Sequence, residues 1–268
     1  MSELTPYKTH HFNAYHLGDC VFHIHFLRKL VQIINEKVTF YVNENYVPEL
    51  NKHIADEARI QLVGIHPYNF QYINPLFVNS HLNAFGNFGE IHAANSGDYA
   101  GCYVDFFNQL CGKYNLPNPI KTKFDILWDN PLSLETRLPH QFVGDIDYFV
   151  INAPCYSGQF QYNRSDFDRL FEKLLKNSAR IVCTHPPGPY NIPCTLNHGL
   201  SLVDIAKIAT QSKRIMGIHT APMIPCFNVW NVNSVFSWSL FSERETYSYN
   251  TRIDKYSTFQ EFIDATEI

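Results

Sequence analysis

Apolar and polar positions along the chain repeat with two periods, one typical of helices and one typical of strands. After Asp19, apolar residues recur at helical spacing as far as Ile34, which predicts one buried helical face. Runs rich in β-branched and aromatic residues at 37–42 and 59–65 predict strands, with a short helix between them. Alternating strands and helices are typical of a parallel sheet covered by helices.

The alternation stops and then returns in the C-terminal half. Between Pro67 and Asp98 the glycine-bearing pattern predicts a long loop, and a helix is predicted over 99–114, where helical spacing returns. Residues 129–145 are the best candidate for a linker. Beyond them, strands are predicted at 147–154, 179–184 and 214–220, with helices through 167–175 and from 202 onward, and a last short helix at 256–268. Two successive α/β halves are the simplest interpretation, although little sequence remains beyond Trp230 to complete a second sheet.

Composition narrows the class of protein. The 268 residues are 45% hydrophobic and 17% charged, which describes a globular chain with a substantial core. A net charge of −4 argues against a broad nucleic-acid-binding face. The seven cysteines are widely spaced without a CxxC pair, which indicates reduced thiols in the cytoplasm and argues against a zinc site. No signal peptide or apolar stretch of membrane-spanning length is recognised, so membrane association is expected to be peripheral at most.

Two short segments carry candidate chemistry. Gly18 and Asp19 stand where a strand is expected to give way to a helix, so the glycine is expected to form the turn and the aspartate to lie in the first helical turn. A carboxylate at this position is suited to accept a proton from a hydroxyl group, although a simple helix cap fits equally. Thr220 to Met223 start another helix after a strand, where free N–H groups and a hydroxyl suit a diphosphate or merely begin the helix.

Together these segments resemble the heptosyltransferase-like family, glycosyltransferase family nine, of the GT-B glycosyltransferases. The stretch "HLGDCVFHIHFLRKL" is similar to the family motif in which Gly-Asp precedes an apolar helix, and "LSLVDIAKIATQSKRIMGIHTAPM" is similar to its donor-side segment. "GCYVDFFNQLCGKYNLPNP" resembles a helix of the acceptor domain and "DYFVINAP" the first strand of the donor domain. The sequence departs from the pattern at Ala221, at Ile224 and in the polar stretch "THHFNAYHL", where the family has an apolar strand.

The resemblance implies an α/β protein with two Rossmann-like α/β/α domains whose parallel sheets face each other across a cleft. The acceptor domain is expected at 1–140, the donor domain at 141–250, and a helix at 251–268 that packs back on the first domain. The implied activity is inverting, metal-independent transfer of a sugar from a nucleotide-diphosphate sugar to a hydroxyl of a glycan or glycolipid. The nucleotide sugar is a co-substrate, and no cofactor is expected.

The resemblance also implies roles for individual residues. Asp19 is the expected base, and the acceptor is expected to meet Gly18, His16, Glu90 and His92. The donor is expected to contact Thr220, Ala221, Pro222, Met223, His185, Gly188 and Arg164. His185 and Gly188 follow a strand end, where a nucleotide base or ribose should lie. Lys173 is a second, weaker candidate for positive charge.

Alternatives to sugar transfer stay open at the level of sequence. A nucleotide-sugar epimerase or hydrolase, or a non-catalytic sugar- or nucleotide-binding protein, could carry the same motifs. A cysteine hydrolase built on Cys183 or Cys194 with His185 or His198 is the weakest option, since no nucleophile elbow is recognised. His23 and His25 are two positions apart on a predicted helix, so they point in different directions and a shared metal is not expected.

Overall fold

The computed structural model describes residues 9–13, 16–69, 137–154, 162–218, 220–231, 235–238, 253–256 and 258–266, together with single positions and short runs from 104 to 125. The chain divides into two compact units. The first comprises Met1–Leu127 with Arg244–Tyr249, and the second comprises Trp128–Glu243 with Asn250–Ile268.

The first unit contains a three-stranded parallel sheet. Its described elements are β1 (His10–Asn13), α1 (Leu17–Ile34), β2 (Val38–Asn43), α2 (Val47–His53) and β3 (Ile60–Ile65). The strand order is β1-β2-β3, and both pairings are parallel. The predicted strands at 37–42 and 59–65 are confirmed to within a residue. The predicted long loop and the helix at 99–114 lie largely outside the described residues.

Helix α1 is more deeply buried than its amphipathic pattern predicts. The expected face of Cys20, Ile24, Leu27, Val31 and Ile34 is buried. So are residues on its other sides between Val21 and Phe26. Asn35 ends the helix in the left-handed conformation, with its N–H donating to the carbonyl of Val31 at 3.1 Å. The helix is therefore a central element of the unit.

Strand β1 is polar and yet buried. His11 and Asn13 expose 1% and 0% of their surface, although a buried parallel strand is normally apolar. His11 is accommodated because its Nδ1 lies 3.3 Å from Nε2 of His23 on α1. The His23 ring in turn packs on Phe40 of β2, with ring centroids 4.6 Å apart. The contact between His11 and His23, which are 12 residues apart in the sequence, thus allows a polar stretch to form a buried strand.

Acid is expected to destabilise the first unit through its buried histidines. Burial, reinforced by Arg28 and Lys52, lowers the pKa of His53 to about 3, and burial also lowers the pKa values of His23 and His25. Below pH ~6.5 the unfolded chain binds protons that the folded unit does not, so stability falls as the pH drops toward 3. His53 alone should contribute a slope of up to about 1.4 kcal/mol per pH unit.

Urea unfolding followed by circular dichroism from pH 7 to pH 4.5 measures this slope. The variant His53→Gln should flatten it, whereas His66→Gln, at a largely exposed position, should leave it unchanged. Equal slopes for both variants and the wild type would show that these histidines do not control acid stability.

The second unit contains a five-stranded sheet whose strands are all parallel. Its elements are β4 (Ile146–Ile151), α3 (Arg164–Leu175), β5 (Ile181–Cys183), α4 (Leu202–Thr210), β6 (Ser212–Gly217), β7 (Val235–Trp238), β8 (Ile253–Lys255) and α5 (Phe259–Ala265). The strand order is β5-β4-β6-β7-β8. Two strands beyond Trp230 complete this sheet, although little sequence was expected to remain there for it.

The C-terminal helix α5 packs on the second unit, not on the first as the sequence-based interpretation held. Phe259, Phe262 and Ile263 are buried in a cluster with Phe167 and Phe171 of α3. Lys173 donates a hydrogen bond to the carbonyl of Ile263 at 2.6 Å, near the end of α5. This lysine therefore has a structural role, which corrects the expectation that it supplies positive charge to the nucleotide sugar. Apolar surface on α3 explains why the helix belongs here.

Part of the predicted linker is also fixed to the second unit. The first unit gives way to the second between Leu127 and Trp128, whereas the domain boundary was expected after residue 140. Arg180 donates to the carbonyl of Val143 at 2.7 Å, and the N–H of Gly144 donates to Gln211 Oε1 at 2.8 Å. These bonds hold the last residues of the linker segment against the second unit.

Candidate functional site

The strand order of the second unit creates a site at the carboxyl edge of its sheet. From β4 the chain moves to β5 on one side and then returns to β6 on the other side. In open parallel sheets, ligands bind outside the carboxyl ends of the strands where the winding direction reverses. The segments that follow β4 and β6 therefore border the candidate site.

Gly217 brings the ends of β4 and β6 close together. Its φ of +134° is unfavourable for a residue with a side chain, and a Cβ at this position would overlap the backbone of Ile151. The N–H of Ile218 donates to the carbonyl of Ile151 at 3.1 Å. A glycine is thus required for the chain to leave β6 and enter the turn at Thr220.

Thr220 has a buried hydroxyl without a hydrogen-bond partner among the described residues. It precedes the short 3-10 helix Ala221–Cys226, and its carbonyl accepts from the N–H of Met223 at 2.8 Å. The residue is 9% exposed, and its side chain does not cap the helix. Ser201, by contrast, caps α4 in a reciprocal arrangement with Asp204. An unpaired buried hydroxyl costs about 1–3 kcal/mol, so Thr220 is a group that a ligand could satisfy.

Asn152, directly after β4, fixes the segment that follows β5. Its Oδ1 lies within hydrogen-bond distance of three donors: the N–H of Thr184 at 3.1 Å, the Thr184 hydroxyl at 3.0 Å and the N–H of His185 at 2.8 Å. Its Nδ2 donates to the carbonyl of His185 at 3.0 Å. Asn152 was not predicted as a site residue, because its only signal in the sequence is an asparagine at the end of an apolar strand.

His185 and Gly188 lie in the segment that Asn152 positions. His185 is half-buried, and burial lowers its pKa, so the ring is neutral at neutral pH. Its Nδ1 is buried without a partner in the described part of the chain. Gly188 has a φ of +69°, and a Cβ at this position would lie 2.6 Å from Asp168 Oδ1. This carboxylate oxygen is also buried and has no hydrogen-bond partner among the described residues.

The remaining candidates for contact with the nucleotide-sugar donor differ in exposure. Ala221 and Pro222 are half-buried at the start of the 3-10 helix, whereas Met223 is fully buried and contributes to the core. Arg164 is the first residue of α3 and is exposed. Thr220, His185 and Gly188 thus follow strand ends on one edge of the sheet, while Met223 supports the turn from behind.

In the first unit, Asp19 occupies the third position of α1. The half-buried carboxylate lies in the first turn, where the helix dipole favours a negative charge, as predicted. Burial, with an added contribution from Asp19, raises the pKa of Cys20, and burial with smaller effects of Cys20 and Asp19 raises that of Tyr46. Asp19 lies in the helix after β1 and Tyr46 lies just after the neighbouring strand β2, so the carboxylate is close enough to Tyr46 to affect it electrostatically.

The other acceptor candidates have different outcomes. His16 is exposed and precedes α1 without capping it through its side chain. Gly18 is the second residue of the helix and is buried, which corrects the expectation that it forms the preceding turn. Glu90 and His92 lie outside the described residues.

Two further observations concern metals and membranes. His23 packs against His11, whereas His25 faces His53 with ring centroids 6.4 Å apart, so the two side chains point in different directions. Within the described ranges, no group of three or more His, Cys, Asp or Glu residues is arranged to hold a metal ion. No helix in the described part of the chain is both long and apolar enough to cross a membrane.

Comparison with solved structures defines the fold as that of the GT-B glycosyltransferases. The chain is similar to E. coli heptosyltransferase WaaC in complex with ADP (TM-score 0.54, 10% identity, 92% of each chain) and with ADP-2-deoxy-2-fluoro heptose (TM-score 0.53, 10% identity, 92% of each chain). It is also similar to a glycosyl transferase family 9 structure from Veillonella parvula (TM-score 0.51, 9% identity, 95% of this chain and 86% of that one). No family model matches the sequence, and a search of curated proteins gave no match. The resemblance inferred from the motifs is therefore confirmed as a likeness in fold.

Proposed function

We propose that this protein is a glycosyltransferase that moves a sugar from a nucleotide-diphosphate sugar to a hydroxyl group of a glycan or glycolipid acceptor. The observation that carries the proposal is the buried hydroxyl of Thr220 at the carboxyl edge of the second sheet, which has no hydrogen-bond partner among the described residues. The fold supports it, because a similar structure is heptosyltransferase WaaC with ADP and with an ADP-sugar analogue.

The donor would bind along the carboxyl edge of the second sheet. The Thr220 hydroxyl would donate to a diphosphate oxygen, with the backbone of Ala221 and Pro222 beside it. His185 and Gly188 would border the base or ribose, and the lowered pKa of His185 keeps its ring uncharged. Arg164 would supply positive charge to the leaving diphosphate, so the reaction would need no metal ion.

The acceptor would react through Asp19. Its carboxylate would take the proton of the acceptor hydroxyl while the oxygen attacks the anomeric carbon from the face opposite the diphosphate. One bond forms from the acceptor oxygen to the anomeric carbon, and the bond from that carbon to the diphosphate oxygen breaks. A single displacement inverts the anomeric configuration. His16, Gly18, Glu90 and His92 are proposed to shape the acceptor site.

We place this reaction in the cytoplasm. The five cysteines within the described residues are all free thiols, as expected in a reducing compartment. Nucleotide sugar and acceptor are the proposed partners, and any membrane contact would be peripheral.

Nucleoside diphosphates should raise the thermal stability of the protein, and the variant Thr220→Val should weaken this effect. A nucleotide at ~100 times its dissociation constant adds about 2.7 kcal/mol. Removing one hydroxyl that donates to a charged oxygen should weaken binding about 10- to 100-fold. The ligand-free variant should be more stable than the wild type by about 1 kcal/mol, because an unpaired buried hydroxyl has been removed.

The matched control is Thr266→Val. Thr266 is also a buried threonine of the second unit, but its hydroxyl donates to the carbonyl of Phe262 at 2.7 Å. This variant should gain no stability and should bind nucleotides like the wild type. The absence of a shift with ADP, GDP and UDP would count against the transferase. If a nucleotide binds, analysis of the reaction products distinguishes a transferase from a hydrolase or an epimerase, because the latter two consume the nucleotide sugar without an acceptor.

A further inference from the structure

The carboxylate of Asp168 is a group of the second unit that the proposed reaction does not use. Asp168 lies in the second turn of α3, the helix between β4 and β5. Its Oδ1 is buried and has no hydrogen-bond partner among the described residues, whereas the residue as a whole is only half-buried. Burying a carboxylate oxygen is unfavourable unless a hydrogen bond satisfies it. A ligand that donates such a bond would therefore stabilise this group.

The loop that packs against Asp168 is poor in hydrogen-bond donors. A Cβ added to Gly188 would lie 2.6 Å from Asp168 Oδ1 and 3.5 Å from Oδ2, so the carboxylate lies directly against the backbone of this glycine. The neighbouring Pro186, Pro187 and Pro189 have no backbone N–H. Residues 186–189 thus offer a single N–H, that of Gly188, to a group with about four acceptor positions.

Two tyrosines also lie near the Asp168 carboxylate. The rings of Tyr162 and Tyr190 pack on phenylalanines of α3, with centroids 5.7 and 6.2 Å apart. Burial raises the pKa values of both tyrosines, and Asp168 adds a smaller contribution to each, so its carboxylate is close enough to affect both. The Tyr190 hydroxyl donates its one proton to Glu172 Oε1 at 2.9 Å. Both tyrosines and Gly188 are half-buried, so the carboxylate lies near the protein surface.

The chemistry of a carboxylate determines which part of a nucleotide can meet it. An ionised carboxylate only accepts hydrogen bonds and repels phosphate oxygens, so its partner must be a hydroxyl or an N–H group. The Thr220 hydroxyl beyond β6 has the opposite property, because it can donate to a phosphate oxygen. Strands β5 and β6 flank β4, so their ends are about 9–10 Å apart. A single nucleoside diphosphate is long enough to span this distance.

We propose that Asp168 accepts a hydrogen bond from the nucleoside part of the bound nucleotide, donated by a ribose hydroxyl or by an N–H of the base. The inference rests on the proposed function and adds an orientation to it. The diphosphate lies at Thr220, and the nucleoside lies at Asp168 and Gly188. Asp168 touches no reacting atom in this arrangement, so it determines the affinity for the nucleotide and not the rate of the chemical step.

Titration calorimetry of the full-length protein with ADP, GDP, UDP and inorganic pyrophosphate tests the proposal. Asp168→Asn should weaken binding of the tightest nucleotide about 10- to 100-fold, because a hydrogen bond to a charged group is lost. Binding of pyrophosphate, which has no nucleoside, should stay unchanged. Thr220→Val should weaken binding of both probes. Unchanged nucleotide binding in Asp168→Asn, or an equal loss of nucleotide and pyrophosphate binding, would overturn the proposal.

The matched control is Asp166→Asn, at the other aspartate of α3. Asp166 is also half-buried, but its Oδ1 lies 3.7 Å from Arg169 Nη1. This variant should bind every probe like the wild type. Thermal unfolding without ligand should show that Asp168→Asn is at least as stable as the wild type, because a buried charge has been removed. A loss of nucleotide binding in Asp168→Asn then cannot result from unfolding.

Deoxynucleotides distinguish a ribose hydroxyl from a base N–H as the donor. If a ribose hydroxyl donates, Asp168→Asn should bind the 2′- or the 3′-deoxy form of the tightest nucleotide no more weakly than the wild type does. If the base donates, the losses from the deoxy form and from the variant should add. Nucleotides that bind Asp168→Asn like the wild type would overturn this inference alone. The failure of every nucleoside diphosphate to bind would overturn the proposed function with it.

Discussion

Replacing Asp19 by asparagine is expected to lower kcat for sugar transfer by about 10²- to 10⁴-fold, because the amide cannot accept the proton of the acceptor hydroxyl. Nucleotide binding should persist, since the proposed donor contacts lie on the second unit. The loss of a favourable charge at the start of α1 should reduce stability by only about 0.3–1 kcal/mol. Steady-state assays of product formation, with thermal unfolding alongside, measure both effects.

Asp166 provides a matched control for this variant. It is the third residue of α3, as Asp19 is of α1, and both are half-buried carboxylates in a first helical turn. Asp166→Asn should therefore show the same small loss of stability and no comparable loss of turnover. Near-wild-type turnover in Asp19→Asn would remove this residue from the mechanism.

The variant Gly217→Ala is expected to destabilise the second unit by about 3 kcal/mol or more. The new Cβ would overlap the backbone of Ile151, so the ends of β4 and β6 would have to separate. The positive φ adds to this strain. Chemical denaturation followed by circular dichroism gives the change in unfolding free energy.

Gly199→Ala distinguishes the collision from the backbone strain. Gly199 also has a positive φ, +60°, but a Cβ there would meet nothing within 4 Å. This variant should lose only about 1–2 kcal/mol, the cost of the left-handed conformation. If Gly217→Ala were as stable as Gly199→Ala, the close approach of β4 and β6 would not be a constraint on residue 217.

Secondary-structure elements that depend on the local pattern of apolar residues could be predicted from the sequence. Strands β2 to β6 and helices α2, α3 and α4 follow from apolar runs and helical spacing, and the structure confirms them with shifts of a few residues at the ends. Asp19 was expected in a first helical turn, where it lies. Local pattern sufficed in these places because burial of an apolar face decides the conformation.

Features that depend on distant partners could not be predicted. The polar strand β1 is buried because His11 meets His23, and α5 joins the second unit because α3 offers apolar surface. The role of Asn152 needs both strand ends to be in place, and the lack of a partner for the Thr220 hydroxyl within the described part of the chain is a property of the folded turn. A pattern along the chain carries no information about such contacts.

The strand order of the second unit also constrains how the chain can fold while it is being synthesised. The central strand β4 pairs with β5 on one side and β6 on the other, so one of its edges stays open until Gly217 has left the ribosome. The apolar cluster under α3 is completed only by Phe259 and Phe262, near the end of the chain. Because pairing between residues so distant in sequence is slow, nascent chains expose an apolar strand edge for much of translation.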